Sequence, residues 1–427
     1  MKSIKIAERD TKVMSPSLHR YYPFVFKAGK GANLWDVEGR KYLDFAASIA
    51  VMNMGYNVPE IMNAIKKQLK DGTHCAFPDF YAELPVKYAE TLLSFMPVPL
   101  NHGKVFLSNS GTESIEAAIK LAKWNKRGKY VIAFNKCFHG RTMGSLSMTN
   151  SKPVQRAGFG PFLPVKHVPF PDYYHMNMQP EECSQYCLNE LEKTMKLLDG
   201  DCSALFIEPV QGEGGYFVPP KSFVKGVRKL CTKYDILLCA DEVQSGCWRT
   251  GKFLAMENFN VKPDIVSMAK AISGGMPLGA TIAASKLMKW PKDSHSNTFG
   301  GNLLSCTAGM AALNYMKKKK VGQNAVRVGR FIMSRLDEMK EKYSYIGDVR
   351  GLGLMIGVEI VHNRNSKSPA VGERDFILHK SYENGLILLP VGDNSIRICP
   401  PLVITKAQAN HGLDILEDAF HMLHHKK

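Results

Sequence analysis

Apolar positions along the chain fall into short runs separated by amphipathic stretches. From Tyr56 onward the runs are "KVFLSNSG", "YVIAFN", "ALFIEPV", "DILLCADEV", "DIVSMAK" and "GATIAAS", each the length of a strand buried on both faces. Strands alternating with helical stretches predict an α/β fold with a mostly parallel sheet covered by helices on both sides. Ahead of this region, "ANLWDVEGRKYLDFAASIAV" reads as two short strands around the turn Glu38-Gly39, with Trp35, Val37, Tyr42 and Phe45 as their apolar members. Past about Gly309 a helical stretch comes first, followed by the short strands "GLMIGVEI", "LILLPV" and "SIRICPP" and a closing helix, which together make an α+β piece. The expected organisation is an N-terminal segment 1–55 packing with the small domain, a large domain 56–308, and a C-terminal small α+β domain 309–427.

Composition narrows the class. The chain has 427 residues, 45% of them hydrophobic, enough for a large core. No apolar run reaches the roughly 20 residues that span a bilayer, and the opening "MKSIKIAERDTKVMSPSLHRYYP" lacks the apolar segment of a secretory signal. The expectation is a cytoplasmic protein with no membrane partner. Ten cysteines occur without a C-x-x-C pair, so no metal site is expected. The net charge is +17, but the basic residues are spread out and the one dense run, Lys317 to Lys320, reads as a solvated helix face. No nucleic-acid partner is expected either.

In open α/β sheets, ligands gather beyond the carboxyl ends of the strands. Several polar features fall there. In "SNSGTESIEAAIKLAKW", Ser110 and Glu113 have the spacing of a capping box, and the free N–H groups near Gly111 and Thr112 would suit a phosphate. In "LLCADEVQSG" an apolar run delivers Asp241 and Glu242. The following "GCWRTGKF" imitates a nucleotide-binding loop but has Phe253 where that loop needs a hydroxyl. One strand–helix–strand step later comes Lys270. A lysine amine facing a carboxylate, beside a phosphate cradle, describes a pyridoxal phosphate site.

The motifs "NLWDVEGRKYLDFAASIAV", "FHGRT", "IEPVQGEGGY", "ADEVQSG", "AKAISGGMPLGA", "NTFGGN", "GDVRGLG" and "RICPPL" occur in fixed order over nearly the whole chain. In this the sequence resembles the class III aminotransferases of the fold-type I pyridoxal phosphate enzymes, and within them the 4-aminobutyrate type. The resemblance implies a large domain built on a seven-stranded sheet plus a smaller α+β domain. It implies that Lys270 is the Schiff-base lysine and proton shuttle, that Asp241 pairs with the pyridine nitrogen, and that Gln244 bonds the ring hydroxyl. Val243 and Phe138 would sandwich the ring. Gly111 and Thr112 would bind the phosphate, joined by Thr298 from the partner subunit of a homodimer whose active site lies at the interface.

For the substrate, a small amino donor and an oxo-acid acceptor, the resemblance points to Ile49, Arg141, Glu213 and Arg397. Arg397 would take an α-carboxylate and Arg141 the distal one, with Glu213 neutralising Arg397 when an ω-amine is bound. The implied activity is ping-pong transfer from a short ω-amino acid to 2-oxoglutarate. Ornithine or acetylornithine aminotransferases and amino-acid racemases of the same subgroup are the alternatives, and a basic binding protein that keeps the fold is the non-enzyme one. Trp248 stands where the family usually has a small residue, so either local packing or the cleft wall is expected to differ.

Overall fold

The computed structural model describes residues 2–425. Three sheets organise it. The largest contains β4 (Gly103–Ser108), β5 (Tyr130–Phe134), β6 (Val165–Val168), β7 (Cys202–Ile207), β8 (Leu237–Asp241), β9 (Ile265–Met268) and β10 (Gly279–Ala284), in the order β4-β10-β9-β8-β7-β5-β6. All pairings are parallel except those of β10, which runs antiparallel to both neighbours. Because β10 reverses direction between them, β4 points the same way as β9 and β8. Their carboxyl ends, which lead to Gly111, Lys270 and Asp241, therefore share one sheet edge.

The strands are buried on both faces, as their unbroken apolar runs require. Val131, Ala133, Ala204, Phe206, Leu237 and Cys239 pack with Ile115, Ala118 and Ala122 of the helix Gly111–Lys126. The alternate residues Ile132, Phe134, Leu205, Ile207, Leu238 and Ala240 meet helices Pro180–Leu197 and Lys221–Lys233 on the other side. The two-residue period of a strand thus divides each run between two helical layers.

The ends of the chain build the remaining sheets. β1 (Phe26–Lys30), β2 (Asn33–Asp36) and β3 (Lys41–Asp44) form an antiparallel set that β13 (Leu386–Ile387) joins in parallel beside β3. β11 (Ile346–Leu352), β12 (Met355–Ile360), β15 (Ser395–Ile398) and β14 (Leu389–Val391) make the third sheet. Phe45 and Met54 share one core with Ile356, Ile398, Leu416 and Phe420.

Two details depart from the periodicity reading. The helical stretch after Gly309 is two helices, Leu303–Lys318 and Val321–Lys342, broken where Lys320 takes a φ of 52°. Residues after Phe45 leave the strand for a left-handed turn in which Ala47, Ser48, Ile49 and Ala50 all have φ between 46° and 60°. Asp44 holds this turn: its Oδ1 accepts the N–H groups of Ala46 (2.7 Å) and Ala47 (3.0 Å), and its Oδ2 accepts the Tyr56 hydroxyl.

A partly buried ion network ties the large sheet's loops to the third sheet. Asp172 binds Lys136 (2.9 Å) and His175 (2.8 Å), His175 Nε2 reaches Glu359 (2.7 Å), and Glu359 and Asp348 both hold Arg350. Burial opposes protonation of His175, but Asp172 and Glu359 outweigh it and push its pKa up to about 9. No helix among the described residues is long and apolar enough to cross a membrane.

Candidate active site

A cleft of about 740 Å³ opens at the sheet edge where β4, β8 and β9 end. Ile49, Gly111, Thr112, Phe138, Arg141, Glu213, Asp241, Val243, Gln244, Lys270 and Arg397 all line it. Of the residues given a cofactor or substrate role from the sequence, Thr298 alone stands apart, exposed on the loop before the helix Leu303–Lys318.

Lys270 follows β9 at the start of a short 3-10 turn, with a φ of 53°. A β-carbon resists that conformation, so the surrounding structure imposes the lysine's direction. Burial lowers its pKa, while Asp241 nearby acts in the opposite sense. A desolvated amine with a lowered pKa carries a larger neutral fraction, which makes it a nucleophile.

Asp241 ends β8. Its Oδ1 accepts the N–H of Val243 (3.0 Å) and its Oδ2 meets His139 Nδ1 at 2.8 Å. Both side chains are almost wholly out of solvent. Burial works against protonation of His139, yet Cys137 and the bond to Asp241 raise its pKa well above the usual value. Its neighbour in sequence, Glu242, faces the other way and accepts the N–H groups of Ala255 and Met256 and the Ser245 hydroxyl. The acidic pair read from the sequence is therefore one site carboxylate and one loop anchor. Desolvation raises the Glu242 pKa to about 7.

The helix Gly111–Lys126 begins at the same edge. Ser110 Oγ accepts the N–H of Glu113 (3.3 Å), but the Glu113 carboxylate bonds Asn109 N–H (2.8 Å) rather than that of Ser110, so the capping box closes on its serine side alone. As first-turn residues of the helix, Gly111 and Thr112 have N–H groups with no intrahelical acceptor. A β-carbon on Gly111 would lie 2.8 Å from Val243 Cγ1, so glycine lets Val243 close over the cradle. Gly140, at φ 131°, does the same for Thr112, whose Oγ1 would be 2.3 Å from a β-carbon there. Thr112 in turn bonds Thr142 (2.7 Å) and Ser145 (2.6 Å).

Phe138 is fixed by its N–H to Glu208 Oε2 (2.9 Å), and Gly212 N–H holds Glu208 Oε1 at the same distance. Burial raises the Glu208 pKa to about 7. Gln244 Oε1 accepts the Tyr216 hydroxyl (2.7 Å), which leaves the amide N–H groups to donate elsewhere. The Arg141 guanidinium stands 5.7 Å from the Phe138 ring centre. Arg397, 3% exposed, gives Nε–H to Pro390 C=O and Nη2–H to Glu213 Oε2 at 2.6 Å, while its buried Nη1 has no partner. Burial works against the Glu213 charge, but Arg397 and Lys152 hold its pKa below the usual range.

A carboxylate oriented by a histidine, a desolvated amine and unpaired N–H groups at a helix start fit the ring nitrogen, carbonyl and phosphate of pyridoxal 5′-phosphate.

The chain matches the sequence model of the family described as aminotransferase class-III over residues 14–420. It belongs to the class III aminotransferases. It is 36% identical to a leucine/methionine racemase of Thermococcus litoralis, covering 98% of this chain and 96% of that protein. It is 34% identical to a probable 4-aminobutyrate aminotransferase of Bacillus subtilis, with 91% of each covered. The ornithine aminotransferase of Toxoplasma gondii, solved with partial occupancy of PLP at the active site, superposes with a TM-score of 0.89, 28% identity and coverage of 99% of this chain and 95% of that one. As in other class III aminotransferases, the cofactor is pyridoxal 5′-phosphate.

His139, Glu208, Tyr216, Lys152 and the segment Ser17–Tyr21 at the cleft mouth were not singled out from the sequence. His139 stands inside "FHGRT", Glu208 inside "IEPV" and Tyr216 inside "QGEGGY", so the motifs contained them without revealing their contacts. Trp248 does not line the cleft and packs edge-on against Phe95 and Phe253. Local packing, and not the cleft wall, absorbs that departure.

Proposed function

We propose that the protein is an ω-aminotransferase that moves an amino group from a short ω-amino acid to 2-oxoglutarate by a ping-pong mechanism, as a homodimer. The observation that carries the reading is the state of Arg397: a carboxylate from its own chain neutralises one nitrogen while another is buried and unpaired. An arginine so arranged can serve a substrate that lacks an α-carboxylate and, once Glu213 swings off, one that has it. Arg141 supplies the second carboxylate site, and together the two guanidiniums suit a dicarboxylic oxo-acid.

The bound cofactor supplies an electron sink for the substrate carbon that bears nitrogen. Lys270 Nζ, whose pKa desolvation lowers, would hold the cofactor covalently and would carry the proton to and from that carbon. Asp241, oriented by His139, would keep a proton on the ring nitrogen. Val243 and Phe138 would hold the ring between them, Gln244 would donate to its hydroxyl, and the N–H groups of Gly111 and Thr112 would take the phosphate, with Thr298 serving the partner's site. Ile49 shapes the wall beside the substrate.

A screen of amino donors against 2-oxoglutarate and pyruvate tests this. Formation of glutamate from 4-aminobutyrate or a homologue of similar length is expected. Loss of the reading follows if only ornithine-type donors react, or if single enantiomers of an amino acid racemise without any oxo-acid. Racemisation is the second reading, favoured by the 36% identity to the Thermococcus litoralis racemase over almost the whole chain.

A further inference from the structure

Glu213 is shared between two cations. Its Oε2 lies 2.6 Å from Arg397 Nη2 and its Oε1 lies 2.9 Å from Lys152 Nζ. Arg397 lines the cleft and Lys152 does not. We propose that Lys152 is a positioning residue that retains Glu213 when a substrate carboxylate takes Arg397, so that the gate carboxylate passes between two cations without being left unpaired.

The inference rests on the aminotransferase reading above and is carried by three features of this chain. The first is that the gate's backbone is fixed. Gly392 N–H donates to the Glu213 carbonyl and Arg350 Nε–H to that of Gly215, both at 2.9 Å, and Arg350 is buried and held by Asp348 and Glu359. Gly214 lies so close to Lys136 that a β-carbon would approach its carbonyl oxygen to 2.2 Å. Displacement of the carboxylate therefore falls to the Glu213 side chain, which can turn about its own torsions while the loop stays in place.

The second is a gradient of burial. The Arg397 side chain is 3% exposed and that of Lys152 is 26% exposed. Leaving Arg397 for Lys152 alone moves the carboxylate toward water, where its charge is cheaper to hold. The third is chemical division of labour. Lys152 precedes Pro153 on a segment outside the cleft lining, so it acts on substrate only through Glu213. With an ω-amino acid both cations hold Glu213 over Arg397. With 2-oxoglutarate the α-carboxylate replaces it, and Lys152 remains as its partner.

The experiment uses the full-length holoenzyme and its Lys152→Gln and Lys152→Arg variants, each checked for cofactor content by absorbance. Single-turnover rates are measured for the ω-amino acid half and the glutamate/2-oxoglutarate half, and dead-end binding is measured for glutarate and butyrate. Lys152→Gln is expected to weaken glutarate binding and raise the 2-oxoglutarate KM by about tenfold, the size of one charge-assisted hydrogen bond. Butyrate binding and the ω-amino acid half should stay within about twofold, and Lys152→Arg should restore the dicarboxylate values. Equal losses for both ligand classes, or no loss for glutarate, overturn the role of Lys152 while the aminotransferase reading stands. A wild-type enzyme with neither half-reaction overturns both.

Discussion

His139 Nδ1 lies 2.8 Å from Asp241 Oδ2, and neither side chain has meaningful access to solvent. The imidazole thus fixes the direction of the carboxylate. His139→Leu removes the donor at similar volume and should lower turnover about tenfold to a hundredfold, the value of one buried charged hydrogen bond. His139→Asn should retain part of the activity. The check is kcat together with the pH dependence of the bound-cofactor absorbance, which should shift in His139→Leu; an unshifted profile would show that the histidine only packs.

Lys270→Ala should still bind cofactor but lose turnover by at least about a thousandfold, since both the covalent link and the proton carrier go. Borohydride treatment of the wild type followed by peptide mapping should place the label on Lys270. A label on another lysine would refute the assignment.

Glu213→Ala should slow the ω-amino acid half-reaction about tenfold or more, because Arg397 is then buried without a counter-charge, and it should spare the oxo-acid half. Arg397→Ala should show the reverse selectivity. Single-turnover kinetics of each half decide between this and a structural ion pair, which would depress both alike.

Thr298 is exposed and lies outside the cleft of its own chain. If it serves the partner's phosphate, Thr298→Ala should lower cofactor affinity while the protein remains dimeric in sedimentation. An active wild-type monomer would contradict the proposal.

His175 offers a prediction about stability. Its pKa, raised to about 9 between Asp172 and Glu359, means that the protonated ring stabilises the native state fully below the unfolded value near 6.5. That contribution is lost as pH rises from there through 9. After allowance for partial exposure it is worth about 1–2 kcal/mol. Denaturant midpoints of the wild type should fall over this window more steeply than those of His175→Gln, and parallel slopes would exclude the network as the cause.

Most of the strands of the large sheet were legible because their residues are apolar on both faces and bounded by polar turns. Lys270, Asp241 and the Gly111 helix start were legible because each stands at a strand end, where chemistry and local pattern coincide. What stayed hidden depends on approach in three dimensions. Glu242 resembles Asp241 in sequence, and only strand alternation with the Ala255 and Met256 amides separates them. Tyr216 meets Gln244 and Lys152 meets Glu213 across long stretches of chain, and no local spacing records such contacts. Strand β11 was also missed, since "IGDVRGL" has glycines and charges where an isolated strand would have apolar residues, and its place depends on pairing with β12.

With Ile49 as the proposed substrate wall, the left-handed turn at Ala47–Ala50 would put selectivity and stability in opposition. Ile49 reaches the cleft from a backbone conformation that a β-branched residue resists, at a cost on the order of 1 kcal/mol or more, and Asp44 and Tyr56 keep it there. Glycine in its place would relax the backbone and erase the wall; a larger residue would keep the strain and narrow the opening. Since the turn belongs to the N-terminal segment and not to the sheet edge that presents Lys270 and Asp241, a substrate wall at Ile49 could be rewritten there without touching the residues proposed to do the chemistry.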